Sequence, residues 1–382
     1  MRFADALSGP GLAAVAEFKR RSPSLGDIRA DARVEEIVRE YAQSGASAIS
    51  VLVDERFSGT IDDLRAARAT TDVPLLAKGF FSTEEHLHEL REAGADAALL
   101  ILRDLDDETT ARLIGYAEGI GLDALVEAHD LDELERAHRL GTRVIGVNAR
   151  DLSTFAIDRD AQLQLVARAQ ADVVIAESAI HSRAQGAAAE LAGADAILVG
   201  TSLMRAADPG AKLRELISRP LVKVCGLTRQ EDADAAVEAG ADLLGFIFAE
   251  GSPRRAPAVL PVSDTVLTVA VFVGEPEECG ADLVQLYAHE EGSVRGRDAT
   301  LYRDGEPVAR VADLPWQGED PEHWQKARGD DRLVLAGKLG PDNVRAAIDA
   351  VHPWAVDAAS QLESAPGIKD HDKVRAFVQE AR

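Results

Sequence analysis

The chain has 382 residues, with 42 Lys and Arg against 66 Asp and Glu, giving a formal net charge of −24. At ~100–200 residues per domain this length holds two or three domains, each with its own core. The negative charge excludes a general basic face for nucleic acid or an anionic membrane, but it leaves room for a small anion site with local cations. Cys225 and Cys279 are the only cysteines, and their spacing gives neither a disulfide framework nor a cysteine-rich zinc site. The opening MRFADALSGP lacks a basic stretch followed by an apolar run, so no signal peptide is expected. Apolar runs such as Ala97–Leu102 fall far short of the ~18 residues of a membrane helix. The expectation is a cytoplasmic protein without metal, membrane or nucleic-acid partner.

Along the chain an acidic helix-like segment repeatedly runs into a Gly-Ala step and then an apolar run, at Gly45, Gly94, Gly193, Gly240 and Gly280. Glycine stops the helix in a left-handed cap, and a Val/Ile/Leu run without polar alternation suits a parallel strand covered on both faces. The first strands predicted are Ala13–Lys19, Ala48–Asp54, Pro74–Gly79, Ala97–Leu102, Asp123–His129, Val144–Ala149, Asp172–Ser178 and Ala196–Thr201. A helix-like segment follows each of the first seven. Eight such units in residues 1–218 fit one (β/α)8 barrel, which can be as short as ~200 residues.

The pattern restarts after Arg219-Pro220, so a second domain is expected over residues 219–382. Its predicted strands are Leu221–Leu227, Leu243–Phe248, Val266–Val273, Leu283–Ala288, Ala299–Arg303, Val308–Asp313, Arg332–Lys338 and Ala355–Ser360. Asp304-Gly305 between the fifth and sixth is a hairpin signal, not a helical crossover. The expected architecture is α/β: two consecutive (β/α)8 TIM barrels, the second shortened and irregular.

In such a barrel the active site lies at the carboxyl ends of the strands. In the first half those ends carry Glu17, Lys19, Asp54, Lys78, Glu127, Asn148, Arg150, Glu177, Ser178, Gly200 and Thr201. Of only eight lysines, Lys19, Lys78, Lys223 and Lys338 fall at strand ends. Such residues either dress a solvated rim or bind an anion, and their convergence favours an anionic substrate with a Lys/Glu pair moving protons. Crowded cations are expected to keep one lysine's pKa low enough to be useful. The small residues Ser178-Ala179 and Gly200-Thr201-Ser202 suit a phosphate held by backbone N–H groups.

Ala16–Ser24, Leu76–Phe80, Leu125–Glu127, Gly146–Leu152 and Ala176–Ser178 resemble the indole-3-glycerol-phosphate synthase family over residues 1–218. That family converts 1-(2-carboxyphenylamino)-1-deoxyribulose 5-phosphate into indole-3-glycerol phosphate, carbon dioxide and water, in tryptophan biosynthesis. The resemblance implies Lys78 as general acid at ring closure and Glu127 as acid/base in the dehydration. It implies Lys19 on the substrate anion, positioned by Glu17, with Ser22 beside them. Asn148, Arg150 and Glu177 would orient the anthranilate and hydroxyl groups. Ser178, Gly200 and Thr201 would hold phosphate, and Phe80 would line an aromatic pocket. Two positions depart from the family: Gly79 stands for Asp, and Ala179 for Gly. The latter is costly if its φ is positive.

Lys223–Arg229, Gly245–Phe248, Ser252–Arg254, Val284–Leu286, Leu335–Gly337 and Pro366–Asp370 resemble phosphoribosylanthranilate isomerase over residues 221–382. The resemblance implies Cys225, as a thiolate, as general base in an Amadori rearrangement and Asp313 as general acid. Arg254 would contact the substrate, with Gly337 and Ser360 lining the phosphate end. Here too there are departures. Gln317-Gly318-Glu319-Asp320 replaces a glycine-rich phosphate loop, Lys338 replaces a Gly, Tyr287-Ala288 replaces His-Gly, and Gln361 replaces a Gly.

The expectation is a monomeric, cofactor-free bifunctional enzyme acting on phosphosugars. Two alternatives stay open: a synthase with a catalytically dead second barrel, and a non-catalytic phosphosugar-binding protein. Gly119-Ile120-Gly121 formally resembles a dinucleotide fingerprint, but it precedes a strand. His86 and His88 fall on different faces of one helix and make no metal pair.

Overall fold

A computed structural model describes residues 2–23, 25–150, 157–289, 295–314, 324–327, 329 and 332–382. Cα packing divides the chain into two compact units, Met1–His181 with Gly186–Ile217, and Ser182–Gln185 with Ser218–Arg382. Among the described residues no helix is long and apolar enough to cross a membrane.

The first unit is a closed barrel of eight strands. They are β1 Ala13–Phe18, β2 Ala48–Leu52, β3 Leu75–Lys78, β4 Ala97–Ile101, β5 Asp123–Ala128, β6 Val144–Asn148, β7 Val173–Glu177 and β8 Ala196–Val199. All neighbours pair in parallel, and β1 closes on β8. Helices begin where a side chain can take up an orphan backbone N–H. Thr60 and Asp63 form a reciprocal capping box, and Asp106 and Asp130 accept from Thr109 N and Glu133 N. Gly94, at φ 100°, turns the chain out of helix Glu84–Glu92 toward β4, as the left-handed cap requires. Gly121 acts likewise after helix Asp107–Gly119, so the fingerprint-like glycines are a helix stop. His86 and His88 are both exposed on helix Glu84–Glu92.

Inward-facing Val15, Ala48, Leu76, Leu99, Leu125, Val144, Val173, Ile175 and Leu198 fill the barrel. Helix Phe3–Leu7 adds Phe3, Ala4 and Leu7 to that cluster, and Ala4 N donates to Asp123 Oδ2 at 3.1 Å. Asp123 opens β5, so this helix packs at the amino ends of the strands, opposite the end where a barrel carries its chemistry. Register aligns the polar ends there: Leu52 with Lys78, Ile101 with Glu127, Glu127 with Gly146, and Asn148 with Glu177.

The second unit is also a closed eight-stranded barrel. Its strands are β9 Leu221–Cys225, β10 Leu243–Ile247, β11 Leu267–Val273, β12 Leu283–His289, β13 Arg295–Arg303, β14 Glu306–Asp313, β15 Leu333–Ala336 and β16 Ala355–Ala358. β13 runs antiparallel to both neighbours, and the other pairs are parallel. This is the irregularity expected from Asp304-Gly305. Arg303 pairs with Glu306, and the two residues between have φ 49° and 84°. That is the mirror-image turn whose twist matches a hairpin. A hairpin thus replaces a helical crossover, which shortens the unit while the barrel still closes. Helices Gln230–Ala239, Val344–Val351 and His371–Ala381 pack outside through Ala233, Ala236, Ala347, Val374 and Phe377.

The turn yields a test. Gly305→Ala places a Cβ in a left-handed conformation at a cost of ~1–2 kcal/mol. Urea unfolding of the full chain should show the second unit's transition moving to lower denaturant while the first unit's stays in place.

Candidate active sites

At the carboxyl end of the first barrel a cavity of about 370 Å3 is lined by Glu17, Lys19, Ser22, Lys78, Phe80, Glu127, Asn148, Arg150, Ser178, Gly200 and Thr201. Of the residues picked from strand ends, all but Asp54 and Glu177 are among them. Glu177 is 0% exposed and is not part of the cavity wall. The expected contact of Glu177 with substrate is therefore corrected: its carboxylate accepts from Lys78 Nζ. Gly146 makes this burial feasible, since a Cβ there would sit 2.2 Å from Glu177 Oε1.

Lys78 is the hub. Its Nζ contacts Glu177 Oε2 and lies 3.5 Å from Glu127 Oε2 and 4.0 Å from Glu17 Oε2. Glu17 also binds Lys19 Nζ at 2.8 Å. Desolvation alone would lower the Lys78 pKa, but Glu177, Glu127 and Glu17 outweigh it and push it up. Lys78 is therefore not the lysine that crowded cations were expected to depress, because its neighbours are carboxylates.

The carboxylates divide the charge unequally. Burial raises Glu177 and, with repulsion from Glu127 added, outweighs the pull of Lys78, so its carboxyl is pushed up to about 8. Burial raises Glu127 too, but Lys78 and His129 overcome it and hold it down. Glu17 is likewise lowered against its burial by Lys19 and Lys78. The Lys78 ammonium thus lies between two carboxyls that their surroundings set apart, Glu127 the more readily ionised and Glu177 the more readily protonated. The separation of two carboxyl pKa values by environment is what assigns acid and base roles.

The turn after β7, where a phosphate was expected, has a strained backbone. Ser178 and Ala179 both have positive φ, 70° and 57°. Successive left-handed residues turn their N–H groups toward one side, a concavity for anions. At the mouth, the Phe80 ring is 37% exposed and lies 3.6 Å from the Arg56 guanidinium, which Asp54 holds at 2.8 Å. A Cβ at Gly79 would meet Phe81 Cζ at 2.8 Å. The Phe81 ring occupies the space that an Asp would need.

The second barrel has its own cavity of about 370 Å3, lined by Cys225, Arg254, Asp313, Gly337, Lys338 and Ser360 among others. Topology thus gathers every residue expected at this site. Cys225 ends β9, and Gly245 gives it room, since a Cβ there would lie 2.5 Å from Sγ. Burial pushes the Cys225 thiol up, against the pull of Lys223, so forming the expected thiolate costs more here than in water. Lys223 Nζ donates to Gln285 Oε1 at 2.6 Å and Asp357 Oδ2 at 2.8 Å, and Gln285 Nε2 donates to Tyr287 OH at 3.0 Å. Arg254 lines the cavity, yet its Nε and Nη2 both donate to Glu363 at 2.8 Å. The expected substrate contact of Arg254 is therefore narrowed to what this fork leaves exposed. Gln317–Asp320 lie outside the described residues.

The sequence reading missed His129 and Asp357. The His129 imidazole is 2% exposed and lies 3.2 Å from Glu127. Asp357 Oδ1 is buried on the second cavity's wall without a hydrogen-bond partner. A carboxylate inside the apolar run Ala355–Ala359 was the available signal for Asp357.

The family model for indole-3-glycerol phosphate synthase matches residues 1–216, and that for N-(5'-phosphoribosyl)anthranilate isomerase matches residues 321–380. The chain is 44% identical to indole-3-glycerol phosphate synthase 2 of Streptomyces coelicolor, over 56% of this chain and 84% of that one. It is 32% identical to the multifunctional tryptophan biosynthesis protein of Schizosaccharomyces pombe over 99% of this chain, and spans 60% of that protein's length. A solved structure, TrpF from Jonesia denitrificans, matches 43% of this chain and 97% of its own at 31% identity, with a TM-score of 0.35. The chain belongs to the indole-3-glycerol phosphate synthase family, and joins that barrel to a segment of the phosphoribosylanthranilate isomerase family, both of tryptophan biosynthesis.

Proposed function

We propose that this chain is a monomeric, cytoplasmic, cofactor-free enzyme running two consecutive steps. The second barrel, residues 219–382, rearranges N-(5-phosphoribosyl)anthranilate. The first, residues 1–218, closes the product into indole-3-glycerol phosphate. The observation that carries the reading is Lys78 on the wall of the first cavity, its Nζ in contact with Glu177 and 3.5 Å from Glu127; on this reading Glu127 is ionised and Glu177 protonated.

That arrangement supports a complete proton inventory. The aryl carbon attacks the ribulose carbonyl, and Lys78 protonates the carbonyl oxygen as the carbon–carbon bond forms. Carbon dioxide leaves with the electron pair of its bond returned to the ring. Glu177, touching Lys78, returns a proton to it. The recharged Lys78 then protonates the same oxygen, now a hydroxyl leaving as water, while ionised Glu127 takes the proton from the neighbouring carbon. One proton is consumed overall, matching the loss of a carboxylate as neutral carbon dioxide. The N–H groups around Ser178-Ala179 and Gly200-Thr201 hold the phosphate, Lys19 takes the substrate anion, Asn148 and Arg150 orient the anthranilate, and Phe80 covers its ring.

In the second barrel Cys225 and Asp313 face one cavity and supply the base and the acid of the rearrangement. Phosphate binds at Gly337 and Ser360. Lys338 supports this end with a charge: it is exposed on the cavity wall at φ 55°, a conformation costly for a residue with a Cβ. Lys223 and Arg254, by contrast, are held by Asp357 and Glu363.

Supplying each substrate separately tests the reading. Both should give indole-3-glycerol phosphate; product from the ribulose compound alone would leave the second barrel a scaffold. Lys78→Met should abolish the synthase step and spare the isomerase step. Lys338→Met should raise the isomerase KM about tenfold or more, the scale of one lost charged hydrogen bond, with the synthase rate unchanged. Ala179→Gly should stabilise the first barrel by up to about 1 kcal/mol by relieving the left-handed alanine, read by thermal unfolding.

A further inference from the structure

The His129 imidazole lies behind Glu127, outside the cavity lining. Its Nδ1 is hydrogen-bonded to Glu133 Oε2 at 3.0 Å, and its buried Nε2 lies 3.2 Å from Glu127 Oε1, an ion-pair contact not aligned as a hydrogen bond. Glu133 is fixed in turn: His129 N donates to Oε2 at 2.8 Å, and Arg103 Nε donates to Oε1 at 3.1 Å. A neutral imidazole carries a proton on one nitrogen only. With carboxylate oxygens facing both nitrogens in a buried site, the bare nitrogen would set its lone pair against an anion. Two-sided contact with carboxylates therefore calls for the imidazolium.

We propose that His129 is a positioning residue of the synthase: as an imidazolium it anchors Glu127 Oε1 so that Oε2 faces Lys78 and remains an ionised base. This deepens the reading of Glu127 as the base of the dehydration and rests on it. The groups that face the imidazole come from two elements. Glu127 comes from β5, with Lys78 of β3 and Glu177 of β7 beyond it. Glu133 comes from helix Leu131–Arg139, with Arg103 beyond it, and Arg103 also reaches Asp130 at 3.9 Å. His129 thus sits in an alternating series, Arg103–Glu133–His129–Glu127–Lys78–Glu177. Burial lowers its pKa, but Glu127 and Glu133 raise it to about 9. The cation is therefore present through neutral pH and is lost as the pH rises through that value.

The test follows turnover of the ribulose substrate by the full chain across pH. His129→Gln should lower kcat about tenfold or more, the cost of a misplaced catalytic group, with KM within about threefold. It should also move the acid limb of kcat upward, because Glu127 loses a neighbouring cation. Glu133→Gln keeps the ring but removes one of its anions, so the alkaline limb should move downward; this variant also serves if His129→Gln does not fold. Independently of turnover, 15N NMR at pH 7.5 should show the His129 ring protonated on both nitrogens. A folded His129→Gln with wild-type kcat and pH limbs overturns the proposal, and so does a neutral ring. An inactive wild type with a charged ring would instead overturn the synthase reading while leaving the imidazolium in place.

Discussion

The first site depends on one buried ammonium. Lys78 sits within 4.0 Å of Glu17, Glu127 and Glu177, each almost fully buried. Removing ions from water costs several kcal/mol each, and only close opposite charge offsets it. Lys78, Lys19, His129 and Arg103 stand against Glu17, Glu127, Glu133 and Glu177 in one connected cluster. Glu177 shares the Lys78 ammonium with Glu127 and Glu17 and is the most deeply buried of the three, so burial favours its protonated form. The proton on which the proposed reaction draws follows from that burial.

The barrel meets that constraint with register and with missing side chains. Parallel pairing puts Lys78, Glu127 and Glu177 at one level of three non-adjacent strands. Gly146 leaves the volume into which Glu177 withdraws, and Gly245 does the same for Cys225 in the second barrel. The second barrel reaches a closed ring by a different route, with β13 antiparallel to both of its sequence neighbours. Its amphipathic cover is thinner, yet β9, β14, β15 and β16 still present Cys225, Asp313, Gly337, Lys338 and Ser360 to a common cavity.

Much of this was legible in the residues. Apolar runs after helix-stopping glycines mark the strands because fully buried parallel strands tolerate few polar positions. Asp304-Gly305 marks the hairpin because only such pairs adopt two positive φ values cheaply. The cavity walls were legible because polar residues at the ends of such strands stand out. What was not legible depends on directions and distances. Glu177 reads like another wall residue, but its carboxyl turns inward over Gly146. Arg254 reads as a free cation, but Glu363, more than a hundred residues later, takes its fork. His129 follows a strand end in an acidic segment, and only the fold brings it between Glu127 and Glu133. The sign of the Lys78 shift was misread for the same reason, since sequence lists neighbours without showing which of them surround the ammonium.

Everything proposed for the first site turns on Glu177 keeping its proton at neutral pH. Infrared difference spectroscopy of wild type minus Glu177→Gln at pH 7 tests it directly. A carboxylic-acid C=O band present in the wild type, absent in the variant and titrating away toward alkaline pH is the predicted result. A difference spectrum with only carboxylate bands would place a fourth anion beside Lys78 and contradict the account.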